Sequence, residues 1–173
     1  MVRKKLFRIG EKIKNIISQK MKFKVTIGIG EYHEGILGLS KSFKEATQAL
    51  DVGSRLLGAG DTYHIDNLGI GRLLAEIKKE SQQEFIEKTI YSTKSDKGKK
   101  INEFLLETLK KFFDNNLSIT KTAKALFIHR NTLLYRLEQV RKITGLNPKK
   151  FNDAVLLRIA LKMKIYQGGE KAK

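Results

Sequence analysis

The chain has 173 residues and contains no cysteine, no tryptophan and a single proline. Without thiols, disulfides and thiolate zinc sites are excluded. No apolar run comes near the roughly 18 residues that a membrane-spanning helix needs. The basic N-terminus leads into no continuous apolar segment of the secretory-signal kind, so a soluble cytoplasmic protein is expected. Acidic residues are scarce too: 18 Asp and Glu stand against 35 Lys and Arg, a formal net charge of +17. Such an excess points to a polyanionic partner. It is unevenly placed, with 9 basic and 1 acidic residue in 1–24, 8 and 11 in 25–96, and 18 and 6 in 97–173. A basic C-terminal half beside a mildly acidic middle favours a localised binding module over general stickiness.

Residues 3–20 read as an amphipathic helix with Leu6, Ile9, Ile13, Ile16 and Ile17 on one side. Such a helix could lie on an anionic membrane surface, but with no Trp to anchor it, packing on a sheet is favoured. Next, FKVTIGIG at 23–30 alternates apolar and polar residues, the period of a strand. Gly28, Gly30 and Gly35 do not match a nucleotide-binding glycine loop, and no Lys-Ser/Thr pair follows. They are expected at strand ends and turns. Ser42 and Glu45 form a capping-box pair that would open a helix carrying Phe43, Ala46, Ala49, Leu50, Leu56 and Leu57, stopping at Gly58 or Gly60. A short strand at 61–66, a helix over 69–79 and a shorter one at 83–91 complete a small α+β layer. Two strands make a marginal sheet in water, and open edges invite pairing with another chain. The expectation is a fragment of a longer protein, or a sheet completed in a homodimer. His33, His64 and His129 are not spaced as a metal cluster, and the first two are expected at the surface or in loops. No metal or cofactor is expected.

Residues 92–100, STKSDKGKK, have linker composition. Beyond them Ile101, Phe104, Leu105, Leu109, Phe112 and Phe113 make an apolar helical stripe over 101–115. The segment 118–145 then reads as helix, turn, helix. Ser118 can cap a first helix whose inner face carries Thr122, Ala123 and Leu126. A second begins near His129 or Arg130, with Leu133, Leu137 and Val140 along one stripe. Its opposite face shows Arg130, Asn131, Leu134, Tyr135, Glu138 and Arg141. Arg and Asn are the side chains that grip guanine and adenine through paired hydrogen bonds in the major groove. In this motif, the N-terminal residues of the second helix meet the bases. Arg130 and Asn131 are therefore the expected base readers, with His129 and Tyr135 assisting. Lys121, Thr132 and Arg136 are expected on the phosphates, which set position and affinity without reading sequence. In the last helix Phe151, Val155, Ile159, Leu161 and Ile165 are expected to pack back.

The run L126-F-I-H-R-N-T-L-L-Y-R-L137, followed by I143-T-G-L-N-P148, resembles the C-terminal helix-turn-helix of the PucR/CdaR group of bacterial regulators. It is similar, more loosely, to the Fis-type helix-turn-helix. One departure is Phe127, at a turn position where the Fis-like pattern carries Gly and a bulky residue would be strained. The words V25-T-I-G-I-G30, S42-F-K-E-A-T-Q-A-L50 and D66-N-L-G-I-G-R-L-L74 resemble the end of the GGDEF-like domain that precedes this motif in the group. The signature hairpin and metal-binding carboxylates of diguanylate cyclases would lie upstream of Val25, so the resemblance implies no enzyme.

The expected fold is an α+β N-terminal part, a truncated GGDEF-like layer over 1–91, then a linker at 92–100. An all-α helix-turn-helix domain follows over 101–166, with a disordered tail over 167–173. The expected function is a transcriptional regulator that binds double-stranded DNA sequence-specifically as a homodimer. Two alternatives stand beside it. One is a nonspecific nucleoid-type nucleic-acid binder, and the other is a partner-binding remnant of a larger regulator.

Overall fold

The computed structural model describes residues 2–91 and 101–169, so the linker at 92–100 and the last four residues of the tail lie outside the described residues. The chain divides into two compact units, one running to Lys78 and taking up again from Ile165, the other Lys79–Lys164. Helix α1 spans Val2–Met21, followed by β1 (Ile27–Ile29), α2 (Gly35–Leu57) and β2 (Thr62–His64). A 3-10 turn (Ile65–Leu68) and α3 (Ile70–Glu76) complete this part of the first unit.

The two strands are parallel, with Ile27 opposite Thr62, Gly28 opposite Tyr63 and Ile29 opposite His64. Parallel strands need a crossover, and α2 is that crossover. Successive side chains alternate between the faces of the sheet. On the Gly28 and Tyr63 side lies α2. A β-carbon at Gly28 would collide with the Ala46 carbonyl, and one at Gly53 would collide with the Tyr63 ring. Gly28 is thus a mid-strand position where helix backbone rests on strand backbone, whereas Gly30 directly follows β1, at the strand end expected, and its missing β-carbon leaves room for the Ser42 carbonyl. On the other side, Gly10 of α1 faces Ile27, Ile29 and Thr62, whose side chains lie 3.0–3.7 Å from where its β-carbon would stand.

That contact reverses the expected orientation of α1. It does pack on the sheet, but through the face carrying Gly10, Lys14 and Ile17, and Ile9, Ile13 and Ile16 are exposed. Glycine permits the close approach, and the Lys14 ammonium at its margin is paired with Asp61 at 2.8 Å and Glu11 at 3.0 Å.

Helix α2 begins at Gly35, so Ser42 and Glu45 lie inside it and form no cap. The Ser42 hydroxyl donates to the Glu31 carbonyl, and Phe43 is exposed rather than packed. The helix ends where expected, at Gly58. Its inner residues Ala49 and Val52 join Tyr63, Ile65, Leu68 and the half-buried Tyr166 in the core of this unit. Tyr166, from the last turn of the final helix, donates its hydroxyl to Asp51 at 2.8 Å. His64, expected at the surface, is only 2% exposed. Its Nδ1 accepts from the Asp66 N–H at 3.3 Å, capping the 3-10 turn.

The second unit holds α4 (Lys79–Ile90), α5 (Glu103–Asp114), α6 (Ile119–Ala125), α7 (Arg130–Thr144) and most of α8 (Phe151–Gly168). By its contacts α4 falls in this unit, not in the first where sequence had put it. Its core includes Leu105, Leu109, Phe112, Leu133, Leu137, Val140 and Leu157. Burying each such side chain is worth about 1.5–3 kcal/mol. Phe104 departs from the expected stripe and is half-exposed. In α8 the packed residues are Ala154, Leu157, Ala160, Leu161 and Met163, while Phe151 and Val155 face solvent. The apolar residues of that helix are not confined to one side, so periodicity could not choose its inner face. It also runs through Gly168, past the expected boundary at 166.

Candidate nucleic-acid interface

Helices α5, α6 and α7 pack on one another, and each end of the α6–α7 pair is fixed by an identifiable bond. Ser118 caps α6, its hydroxyl accepting from the Lys121 N–H at 3.4 Å. At the other end the Ile128 N–H reaches the Ala123 carbonyl at 3.0 Å, and the Phe127 N–H reaches Lys124 at 3.1 Å. This pair of bonds is a Schellman motif, which places the residue after the cap in a left-handed conformation. Phe127 has φ +54°, the strained geometry anticipated for it. The same motif closes α5, with Leu117 N–H to Phe112 at 3.0 Å and Asn116 N–H to Phe113 at 3.1 Å.

His129 caps α7. Its Nδ1 accepts from the Asn131 N–H at 3.3 Å, which leaves the ring proton on Nε2. From there the helix splits cleanly into two faces. Leu133, Leu137, Val140 and Thr144 are buried, whereas Arg130, Asn131, Thr132 and Tyr135 are exposed. The side chains of Arg130, Asn131 and Tyr135 hold no hydrogen bond or ion pair among the described residues. Lys121 is exposed on α6. Further along α7, Arg141 grips Glu138 through two bonds of 2.6 and 2.8 Å. Those bonds hold the Glu138 carboxyl below its usual range. The one acid on this helix is thereby neutralised by a neighbour.

Arg136 is placed differently from the others. Its guanidinium carbon stands 3.7 Å from the centre of the Phe104 ring, and its Nη1 donates to Thr108 Oγ1 at 3.3 Å. Both partners are on α5, so this side chain clamps α7 to α5. The partially exposed Phe104 ring is the shelf it lies on. Neither was visible as a pair in sequence, because the two residues are far apart in the chain and an aromatic–Arg contact leaves no local pattern.

The first unit contains a second cluster of chemical groups. Glu31, His33 and Glu45 bring their ligand atoms within 4.8 Å of one another. Glu45 is buried, and Oε2 accepts from the Glu31 N–H at 2.9 Å and lies 3.0 Å from His33 Nε2. Arg72 stands 3.8 Å from Oε1. Burial raises the Glu45 pKa, but the Glu31 N–H, His33 and Arg72 together outweigh it and hold the carboxyl below its usual range. The carboxylate is satisfied internally and ties the segment after β1 to α2. No helix among the described residues is long and apolar enough to cross a membrane.

Residues 105–163 match the PucR C-terminal helix-turn-helix domain, and residues 4–52 match the GGDEF-like domain. The chain is 31% identical to the carbohydrate diacid regulator of Escherichia coli K12, over 83% of this chain and 36% of the relative. It is 30% identical to the purine catabolism regulatory protein of Bacillus subtilis, over 88% and 28%. With the proline-responsive transcriptional activator PutR of Bacillus subtilis the identity is 32%, over 83% and 35%. The chain therefore spans about a third of the length of these relatives. Among solved structures it is similar to a regulator of polyketide synthase expression from Bifidobacterium adolescentis, at 24% identity and a TM-score of 0.41, over 75% of this chain and 52% of that one. With a GGDEF-like segment followed by a PucR C-terminal helix-turn-helix domain, the chain belongs over these residues with the PucR/CdaR-type transcriptional regulators.

Proposed function

We propose that this chain is a cytoplasmic transcriptional regulator that binds double-stranded DNA sequence-specifically as a homodimer. The observation that carries the reading is the exposed, unpaired face at the start of α7, where Arg130 and Asn131 project beside Tyr135 from a helix whose other face is locked into the core. An α-helix presented this way fits the major groove, and two of them reach half-sites about one helical turn, roughly 34–36 Å, apart. Arg130 and Asn131 are the base readers in this reading, with Tyr135 beside them. Lys121 and Thr132 hold phosphates. His129 contributes chiefly by shaping the helix start, and Arg136 by holding α7 on α5.

The first unit is read as the closing part of a GGDEF-like α+β layer with no catalytic role. Its sheet has two strands among the described residues, and a sheet edge with no further strand is a surface for pairing with a second copy. No effector is assigned.

The test is selection of random duplex DNA by the purified chain at physiological salt. A two-fold symmetric motif is the expected product. Arg130→Ala should then lose about 1–3 kcal/mol on that motif and relax preference at one base position, while Lys121→Ala should weaken every sequence alike. Tight binding without a motif, and with steep salt dependence, would favour the nonspecific alternative. Equal losses on operator and random DNA for both variants would overturn the division of roles.

A further inference from the structure

Among the described residues, four that are not glycine adopt a left-handed backbone: Lys22, Asn116, Leu117 and Phe127. The other three differ from Phe127 in residue type or in what the side chain meets. Asn visits this region routinely, the half-buried Leu117 shares an apolar cavity wall with Phe113 and Phe151, and Lys22 keeps a charged chain in water. Phe127 alone among them combines this backbone with a large apolar side chain left in solvent. Its φ is +54° at the position of a Schellman motif that glycine fills without strain, and its ring is 96% exposed. In the free protein both the backbone and the side chain are unfavourably placed, and strain of this kind gathers at functional sites.

Its position says which function. Phe127 stands two residues before His129, the cap of α7, at the same end of the helix as Arg130 and Asn131. In a helix-turn-helix that end approaches the base edges. The major groove presents mostly hydrogen-bonding groups, and its apolar feature is the C5-methyl of thymine, with which Phe makes contact. We infer that Phe127 is a specificity residue that reads a thymine through its 5-methyl group, at the margin of the positions read by Arg130 and Asn131. This rests on the DNA-binding reading above and extends it by one residue and one base.

The test uses the selected operator, with each thymine replaced in turn by deoxyuridine, which removes only the methyl group. Binding of the wild-type chain, Phe127→Asn and Phe127→Gly is measured by fluorescence anisotropy, and each protein's melting temperature is recorded. One uracil position per half-site should weaken the wild type about fourfold, the effect of one methyl group no longer taken out of water. Phe127→Asn and Phe127→Gly should bind the thymine operator at least that much more weakly and be indifferent to the uracil exchange. Both should melt no lower than the wild type, because Asn and Gly accept the left-handed backbone. A merely structural Phe127 would give the reverse pattern, a lower melting temperature with affinity intact. Wild-type affinity in the variants, or a loss that is the same on thymine and uracil operators, overturns the inference. A wild-type chain that selects no motif fails at the earlier step, before any variant is made, and takes both readings down.

Discussion

Replacing Arg136 separates two roles that its residue type alone confuses. If the guanidinium is a clamp between α7 and α5, its removal deletes a cation–π contact and a hydrogen bond. The ring beneath it is half-exposed, so the contact is worth about 1 kcal/mol, between the values for exposed and desolvated pairs. The bond to Thr108, at 3.3 Å, is long and adds about 0.5 kcal/mol. Together these come to about 1.5 kcal/mol, which for a chain of this size lowers the melting temperature by about 3–6 °C. Arg136→Lys keeps the charge but loses the flat surface that stacks, so it should fall nearly as far. The assay is thermal unfolding of wild type, Arg136→Ala and Arg136→Lys, paired with DNA affinity across a salt series. A clamp leaves the slope of log affinity against log salt unchanged in Arg136→Ala. A phosphate contact instead reduces the slope by about 0.9 per charge removed and leaves melting untouched. That second result would refute the reasoning and restore Arg136 to the DNA backbone.

Two further outcomes follow from buried polar groups. The Thr122 hydroxyl is buried in α6 without a hydrogen-bond partner among the described residues. Thr122→Val should therefore raise stability by about 1 kcal/mol, read by denaturant unfolding, since it removes an unmet polar group at nearly constant volume. Glu45 has its pKa depressed in the fold, where the donors around it outweigh its burial. A depressed carboxyl stabilises the fold above its unfolded pKa, and that contribution is lost as pH falls through the folded value. Melting of the first unit should decline as the pH falls below about 4.5, the ordinary glutamate value, and Glu45→Gln should flatten that decline while lowering stability at neutral pH. An acid limb unchanged in Glu45→Gln would assign the pH dependence to other groups.

The parts of this structure that were legible in sequence are those governed by neighbours in the chain. The Leu133, Leu137 and Val140 stripe marked α7 and its inner face because only one of its faces is apolar. Ser118 marked the start of α6, and Gly58 the end of α2. Local signals failed where two answers were locally equal. Both Phe151–Val155 and Leu157–Leu161 are apolar rows on α8, and only the surrounding helices decide which is buried. In α1 the isoleucine row was the more hydrophobic, yet the sheet took the row with Gly10, because close approach to Ile27 and Ile29 outweighs side-chain size. Ser42 and Glu45 had capping-box spacing, but their partners are Glu31 and His33 across the loop, which makes the pair part of a tertiary latch.

The same distinction runs through the interface. Base-reading candidates could be named from sequence because Arg130 and Asn131 act as exposed side chains at a helix start, and exposure there follows from the periodicity of Leu133 and Leu137. The roles of His129 and Arg136 depend instead on what each side chain touches inside the protein. His129 turns back on the Asn131 N–H, and Arg136 reaches Thr108 across 28 residues of sequence. A basic residue beside a recognition helix carries the same charge whether it faces phosphate or an aromatic ring, so composition cannot divide the two. The division matters for affinity. In the proposed complex each basic side chain held inside the fold would be one fewer released counterion on binding, and the +17 of the chain would overstate the charge that DNA meets.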